Sequence, residues 1–219
     1  MRWRRVDKTR QKYWLAASLG TGVLVVAALT YGYYLRREAR SLLDDVSALS
    51  SAPDPDAAFI ALQHKYGNRM KPVESLPWTR SYEVTVSNHL LSTIFRMPYT
   101  ELNIRFDVHG TSPVVVMMEY RSAQPSRQSP IVTVQTDFPG THFYLNPWAR
   151  TSGPDRWNGI VEMGFATAPE LKKAALSLNL DCLTKINGCT DIADLLPNIW
   201  RTSKASVECL VPNHDGQAR

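Results

Sequence analysis

With three cysteines in 219 residues and no C-x-x-C, the chain lacks the spacing of a thioredoxin-like redox site or a zinc ribbon, and it has too few thiols for a disulfide scaffold. Histidine is equally sparse. His64, His89, His109, His142 and His214 form no H-x-x-H or H-E-x-x-H, so spacing predicts no metal site. Neither G-x-G-x-x-G nor a Walker loop can be written, which removes the Gly-rich phosphate cradles, and no cofactor is expected. For nucleophilic catalysis there is no G-x-S-x-G elbow and no S-x-x-K. Proline, glycine and serine are too scarce for a disordered chain.

A basic domain is missing too, although the formal net charge is +5. Arg2, Arg4, Arg5, Lys8, Arg10 and Lys12 stand against Asp7 alone, and this tail accounts for the whole excess. Removing these six and one from the totals of 25 and 20 leaves 19 basic and 19 acidic residues from Tyr13 onward. No nucleic-acid partner is expected of an electroneutral domain.

What the chain does have is Tyr13 to Leu35, 23 residues without a charge. A hydrocarbon core of about 30 Å needs roughly 20 helical residues, so this stretch predicts a transmembrane helix. Tyr13 and Trp14 at one end and Tyr31, Tyr33 and Tyr34 at the other suit the headgroup level. Six basic residues precede the span, whereas Arg36, Arg37 and Arg40 follow it. The expected topology is therefore N-terminus cytoplasmic and C-terminal domain extracytoplasmic, in a plasma membrane or bacterial inner membrane. The alternative is a secreted protein released by signal-peptide cleavage at Val26-Ala27-Ala28, although a signal core of about 7–15 residues is shorter than this run. Ala16-x-x-x-Gly20 and Ser18-x-x-x-Gly22 offer a weak small-residue seam for self-association.

Beyond the span, Leu35, Ala39, Leu42, Val46 and Leu49 alternate four- and three-residue steps. Two readings fit: a two-heptad coiled-coil stalk, or a helix packing on its own domain. Ser50 to Pro55 then reads as a linker. Asp54 and Pro55 predict an N-cap and first-turn proline for a helix with Phe59, Leu62 and Tyr66 on one face, stopped by Gly67. After Trp78 the period becomes two: Tyr82, Val84 and Val86, then Leu102, Ile104, Phe106 and Val108, alternate with polar residues. Asn88 is expected to cap a short helix through Phe95. Further strands are expected at Val114–Tyr120, Ile131–Phe138, His142–Leu145, Gly159–Phe165 and Ser206–Val211. Thr167-x-x-Glu170 reads as a capping box opening a helix with Leu171, Ala174, Ala175, Leu178 and Cys182 on its apolar face, and a second helix aligns Ile192, Leu195, Leu196 and Ile199, with Pro197 its kink or early end.

The fold class is thus α+β: an N-terminal transmembrane helix followed by an extracytoplasmic antiparallel sheet packed with a few helices. The divisions are a basic cytoplasmic tail (1–12), the transmembrane signal anchor (13–35), a juxtamembrane helix and linker (36–53), the α+β domain (54–211) and a polar tail (212–219). Cys182 and Cys189 flank a short turn and are the favoured disulfide, with Cys209 an alternative partner. The residue mix of a recognition surface occurs once, where Trp148, Arg150, Arg156 and Trp157 lie in a Pro- and Gly-punctuated loop. Asp137, His142 and Glu162 are the carboxylate and imidazole candidates for a hydrolase.

The leading expectation is a non-enzymatic, single-pass membrane protein whose outer domain binds another envelope protein or a cell-wall component. The alternatives are a membrane-tethered hydrolase with a site formed only in three dimensions, or a subunit of an envelope secretion or assembly complex, with its transmembrane helix and stalk contacting partners.

Overall fold

The computed structural model describes residues 8–50, 52–74, 79–108, 115–123, 129–138, 143–145, 158–164 and 167–199. Its first element, α1, is a single helix over Lys8–Ser50, 43 residues, long and apolar enough near the N-terminus to cross a membrane. It has two halves of different character. From Lys12 to Ala27 every residue is exposed, Trp14 and Leu19 among the most open. Hydroxyls there turn back on the helix: Ser18 donates to the Trp14 carbonyl (2.9 Å), Thr21 to Ala17 (2.9 Å) and, one turn further, Thr30 to Val26 (2.9 Å). Such self-satisfaction is what a lipid-facing helix requires, since no water is available to pair the groups.

Beyond this half a buried stripe begins. Leu35, Ala39, Leu42, Val46 and Leu49 are buried in the same core as the sheet, joined by Leu43, with Ala28 and Tyr31 packed against its edge. Of the two readings of this heptad pattern, packing on its own domain is the one observed. Burying the five larger side chains is worth roughly 7–15 kcal/mol at about 1.5–3 each, as an upper bound. That matches the net stability of a whole domain, about 5–15 kcal/mol, so residues 35–49 are a structural member of the domain that follows.

The linker leads to α2 (Pro55–Tyr66), where Asp54 accepts from the Ala57 amide (3.0 Å), Pro55 starts the helix and Gly67 ends it at φ 47°. Phe59, Leu62 and Tyr66 are buried, as their spacing predicts. A 3-10 turn over Gly67–Arg69 precedes the strands β1 (Lys71–Val73), β2 (Arg80–Ser87), β3 (Tyr99–Val108), β4 (Val115–Ala123), β5 (Ile131–Phe138), β6 (Phe143–Leu145) and β7 (Asn158–Gly164), with the helix α3 (His89–Phe95) between β2 and β3. They form one seven-stranded sheet in the order β1-β2-β3-β4-β5-β7-β6. The alternation carries one residue in two to the helical side: Val84, Leu102, Ile104, Phe106, Met118, Tyr120, Val134 and Val161 are all fully buried.

The expectation of an antiparallel sheet is corrected at one position. β1 to β5 pair antiparallel, but β7 pairs with β5 in parallel, Val132 opposite Gly159 and Val134 opposite Val161. The reason is topological. β6 runs back along the sheet two strand positions away from β5, and β7 fills the position between them, antiparallel to β6 and hence parallel to β5.

The C-terminal segment is less helical than its apolar spacing suggests. α4 spans only Pro169–Ala175, a 3-10 helix covers Leu180–Leu183, and α5 covers Ile192–Leu195. Thr167 does not form the expected capping box; Pro169, pre-set for the first helical turn, makes Ala168 the N-cap instead. The apolar positions are nonetheless inside: Ala175, Leu178, Cys182, Ile192, Leu195, Leu196 and Ile199 are buried. The strand expected at Ser206–Val211 lies outside the described residues.

Where α1 enters the domain, Gly32 is buried and a Cβ placed on it would lie 2.9 Å from the Thr184 Cγ2. We predict that Gly32→Leu destabilises the domain by about 1–3 kcal/mol through overpacking, outweighing the helix-propensity gain of about 1 kcal/mol over glycine. Adding Thr184→Ala should recover part of that loss, as read by urea denaturation of both variants in the same detergent.

Candidate functional site

The structure treats the sequence-derived site residues unequally. Trp148, Arg150, Arg156 and Trp157 lie outside the described residues, as does His142. Asp137 is on β5 and Glu162 on β7, where Glu162 stands opposite Gln135 on one side and Tyr144 on the other, with a register shift between Gln135 and Phe138. Among the described residues, no group of three or more His, Cys, Asp and Glu side chains is placed to hold a metal ion. Along β1 and β2 runs an open groove of about 610 Å³, whose charged lining is Arg69, Lys71, Glu74 and Glu83.

Two constructions stand out. The first is the sheet face turned away from the helices. There Arg121 pairs with Glu101, which also accepts from the Tyr99 hydroxyl, and Arg105 reaches Asp107 (2.8 Å) while donating to Ser81 (3.0 Å). Register sets Asn103 opposite Glu119 and Arg105 opposite Met117 and Glu83. The result is a broad surface of half-buried charged groups held in fixed pairs, with Met117 and Ile131 among them. Cross-strand pairing of opposite charges stabilises such a face modestly, by about 0.2–1 kcal/mol a pair.

The second is the end of the domain through which α1 passes. The disulfide expected between Cys182 and Cys189 is present, with Cα atoms 5.4 Å apart. On one side of this loop, Thr184 meets Gly32, and Asp181 accepts from Arg36 (2.7 Å). On the other, the Cys189 amide donates to the Ser122 hydroxyl (3.2 Å), which itself accepts from Thr100 (3.1 Å). Asn88 completes the network: its carbonyl oxygen accepts from the Thr100 amide (2.8 Å) and its side-chain NH2 donates to Pro98 (3.0 Å). This corrects its expected role, because Asn88 precedes α3 yet makes no side-chain cap; the buried β3 amide takes the oxygen that would have capped the helix. All three polar residues, Asn88, Thr100 and Ser122, are buried and mutually satisfied, so the network fixes geometry at low cost.

Gly188 is the residue this junction cannot replace. It has φ 62°, and a Cβ there would lie 2.7 Å from the Ser122 hydroxyl and 2.8 Å from Pro98. Sequence reasoning identified the turn but not its function, since nothing in the Leu-Thr-Lys-Ile-Asn-Gly segment announces which distant strand it touches. For Gly32 a signal existed: it continues the Leu35, Ala39, Leu42 stripe backward into the apolar run.

Further along α1, Asp45 accepts from Lys65 (2.6 Å) and from the Tyr66 hydroxyl (2.7 Å), and Glu38 pairs with Arg69, tying α2 to the same helix. Burial, reinforced by Asp45, holds the Tyr66 phenol well above its ordinary pKa. Tyr120, on β4, is pushed up likewise by burial and then by the Asp181 charge, against a smaller opposing effect of the Leu183 backbone; its hydroxyl donates to the Asn179 carbonyl (2.9 Å). In the unfolded chain these phenols ionise near pH 10, before the folded ones do. Above about pH 10 the unfolded state therefore binds fewer protons than the native state, and stability falls as pH rises; below that value the contribution is complete. Tyr120→Phe should lower stability at neutral pH by about 1–3 kcal/mol, since the Asn179 carbonyl loses its donor, yet flatten the decline above about pH 10. Urea melts at a series of pH values measure both effects.

Comparison of the chain with family models, with curated proteins and with solved structures finds no match.

Proposed function

We propose that the chain is a single-pass membrane protein with a cytoplasmic N-terminus, whose outer α+β domain is a binding or scaffold module for another envelope protein or a cell-wall component. The observation that carries this reading is the division of α1, bare and apolar over Lys12–Ala27 and built into a domain core from Leu35 onward. Such a helix suits an anchor that holds its domain directly at the bilayer. The excess of basic residues before the span supports the cytoplasmic tail, and the Cys182–Cys189 disulfide supports an oxidising compartment for the domain.

The binding role draws on the open sheet face. Its paired charges and interspersed apolar groups present a defined, polar recognition surface, and the domain's overall neutrality directs the search for partners to shape and local charge rather than net attraction. Self-association through either small-residue pair, Ala16 with Gly20 or Ser18 with Gly22, is compatible with the open space beside Gly20 and Gly22.

A phosphatase fused at the C-terminus should be active, and replacing the six basic tail residues with Gln should lower that activity by mixing orientations. An inactive fusion on the unmodified chain rejects the topology. Crosslinking in intact membranes should then trap the domain with a second envelope component, and its loss on Arg105→Glu with Arg121→Glu would assign the sheet face. Recovery of monomer alone would reject the binding role.

A further inference from the structure

We propose that the end of the domain nearest the bilayer is itself a lipid-docking surface, with Ile186 of the disulfide loop and Leu90, Ile94 and Phe95 of α3 entering the interface and Arg96 and Lys185 meeting anionic headgroups. This rests on the membrane-anchor reading above.

Length arithmetic places the surface. Counting roughly 20 residues from Tyr13, the first uncharged residue after Lys12, a hydrocarbon core of about 30 Å is crossed by Gly32. Gly32 is where the domain already grips the helix, through Thr184, and Ala28 and Tyr31 pack against the domain edge still earlier. A span from Tyr13 ending before Ala28 would extend only about 22 Å, too short for the bilayer. The domain therefore has no clearance above the membrane, and the disulfide loop sits at headgroup level.

The side chains at this level fit that position. Ile186, at the tip of the loop, is 76 % exposed, the most open of the large apolar side chains described. Ser122 and Pro98, which the same loop touches through Cys189 and Gly188, belong to the sheet end where β2 runs into α3. On α3, Leu91 turns into the core while Leu90, Ile94 and Phe95 remain about half exposed, an arrangement that leaves an apolar face without a protein partner among the described residues. Arg96 follows in a left-handed conformation, exposed, and Lys185 is exposed beside Ile186. Asp181, next to Cys182 of the disulfide, is engaged by Arg36. Apolar tips flanked by exposed cations are the chemistry of an interfacial anchor, each basic residue adding about 1 kcal/mol near an anionic surface. Rigid continuity of α1 removes the usual cost of bringing such a surface to the membrane, because the anchor has already done so.

The test is site-directed spin labelling of the full chain in nanodiscs of phosphatidylcholine and phosphatidylglycerol. In a Cys209→Ser background, with the native disulfide intact, single cysteines replace Ile94, Ile186, Leu24 in the span, and Ile60, which is exposed on α2 at the opposite end of the domain. Collision rates with oxygen and with a water-soluble nickel chelate report depth. Docking predicts an oxygen-to-nickel ratio at positions 94 and 186 several-fold above that at 60 and below that at 24. If 94 and 186 match 60 while 24 remains lipid-immersed, the docking proposal fails and the anchor stands; that outcome would leave the patch to a protein partner. If 24 is also aqueous, the anchor reading itself fails.

Discussion

The contact between residues 35–49 of α1 and the inner face of the sheet is the constraint on which the rest of the molecule depends. Leu35, Ala39, Leu42, Val46 and Leu49 reach the same core as Leu102, Ile104, Met118 and Val134, so the sheet acquires its buried face from a helix that also forms the apolar span. Everything at the exit point follows from that sharing. Because one continuous helix carries both the apolar run and the core stripe, a bilayer crossed by that run would fix where the domain stands, and the Cys182–Cys189 loop is brought against the helix at Gly32. A flexible stalk would have decoupled the two; this arrangement couples them.

Polar chemistry is distributed to support the same junction. The buried Asn88, Thr100 and Ser122 satisfy one another and the Cys189 amide, so their burial costs little and specifies one arrangement of loop on sheet. Along α1 beyond the junction, Glu38 and Asp45 hold α2 and the turn after it through Arg69, Lys65 and Tyr66. The outward face of the sheet is different in kind. Its ion pairs are partly solvated and contribute little to stability.

Much of the fold was legible as period. The alternation at Leu102–Val108 and the cap at Asp54 name their elements directly, since local side-chain spacing and capping chemistry suffice for them. The parallel placement of β7 was not, because β5, β6 and β7 read alike whichever neighbour each finds. Nor was the brevity of α4, because buried apolar residues at helical spacing, such as Leu178 and Cys182, also suit turns and 3-10 segments packed on a sheet; the early end of α5 was, since Pro197 announces the break at Leu196. The domain start expected at residue 54 reflects Pro53 and Pro55, which mark a break in the chain without revealing that the preceding helix belongs to the same core. At the candidate sites, residue type pointed to Trp148 and Trp157, whereas Gly32, Thr184 and Gly188 carry their meaning only through contacts distant in sequence.

Hydrogen exchange of the full chain in nanodiscs tests this coupling most directly. The account predicts that amides from Leu35 to Leu49 exchange as slowly as those of β3 and β4 and lose protection together with them when denaturant is added, as one cooperative unit. Fast or separate exchange of residues 35–49 while the central strands stay protected would contradict it, and would make that half of α1 a stalk.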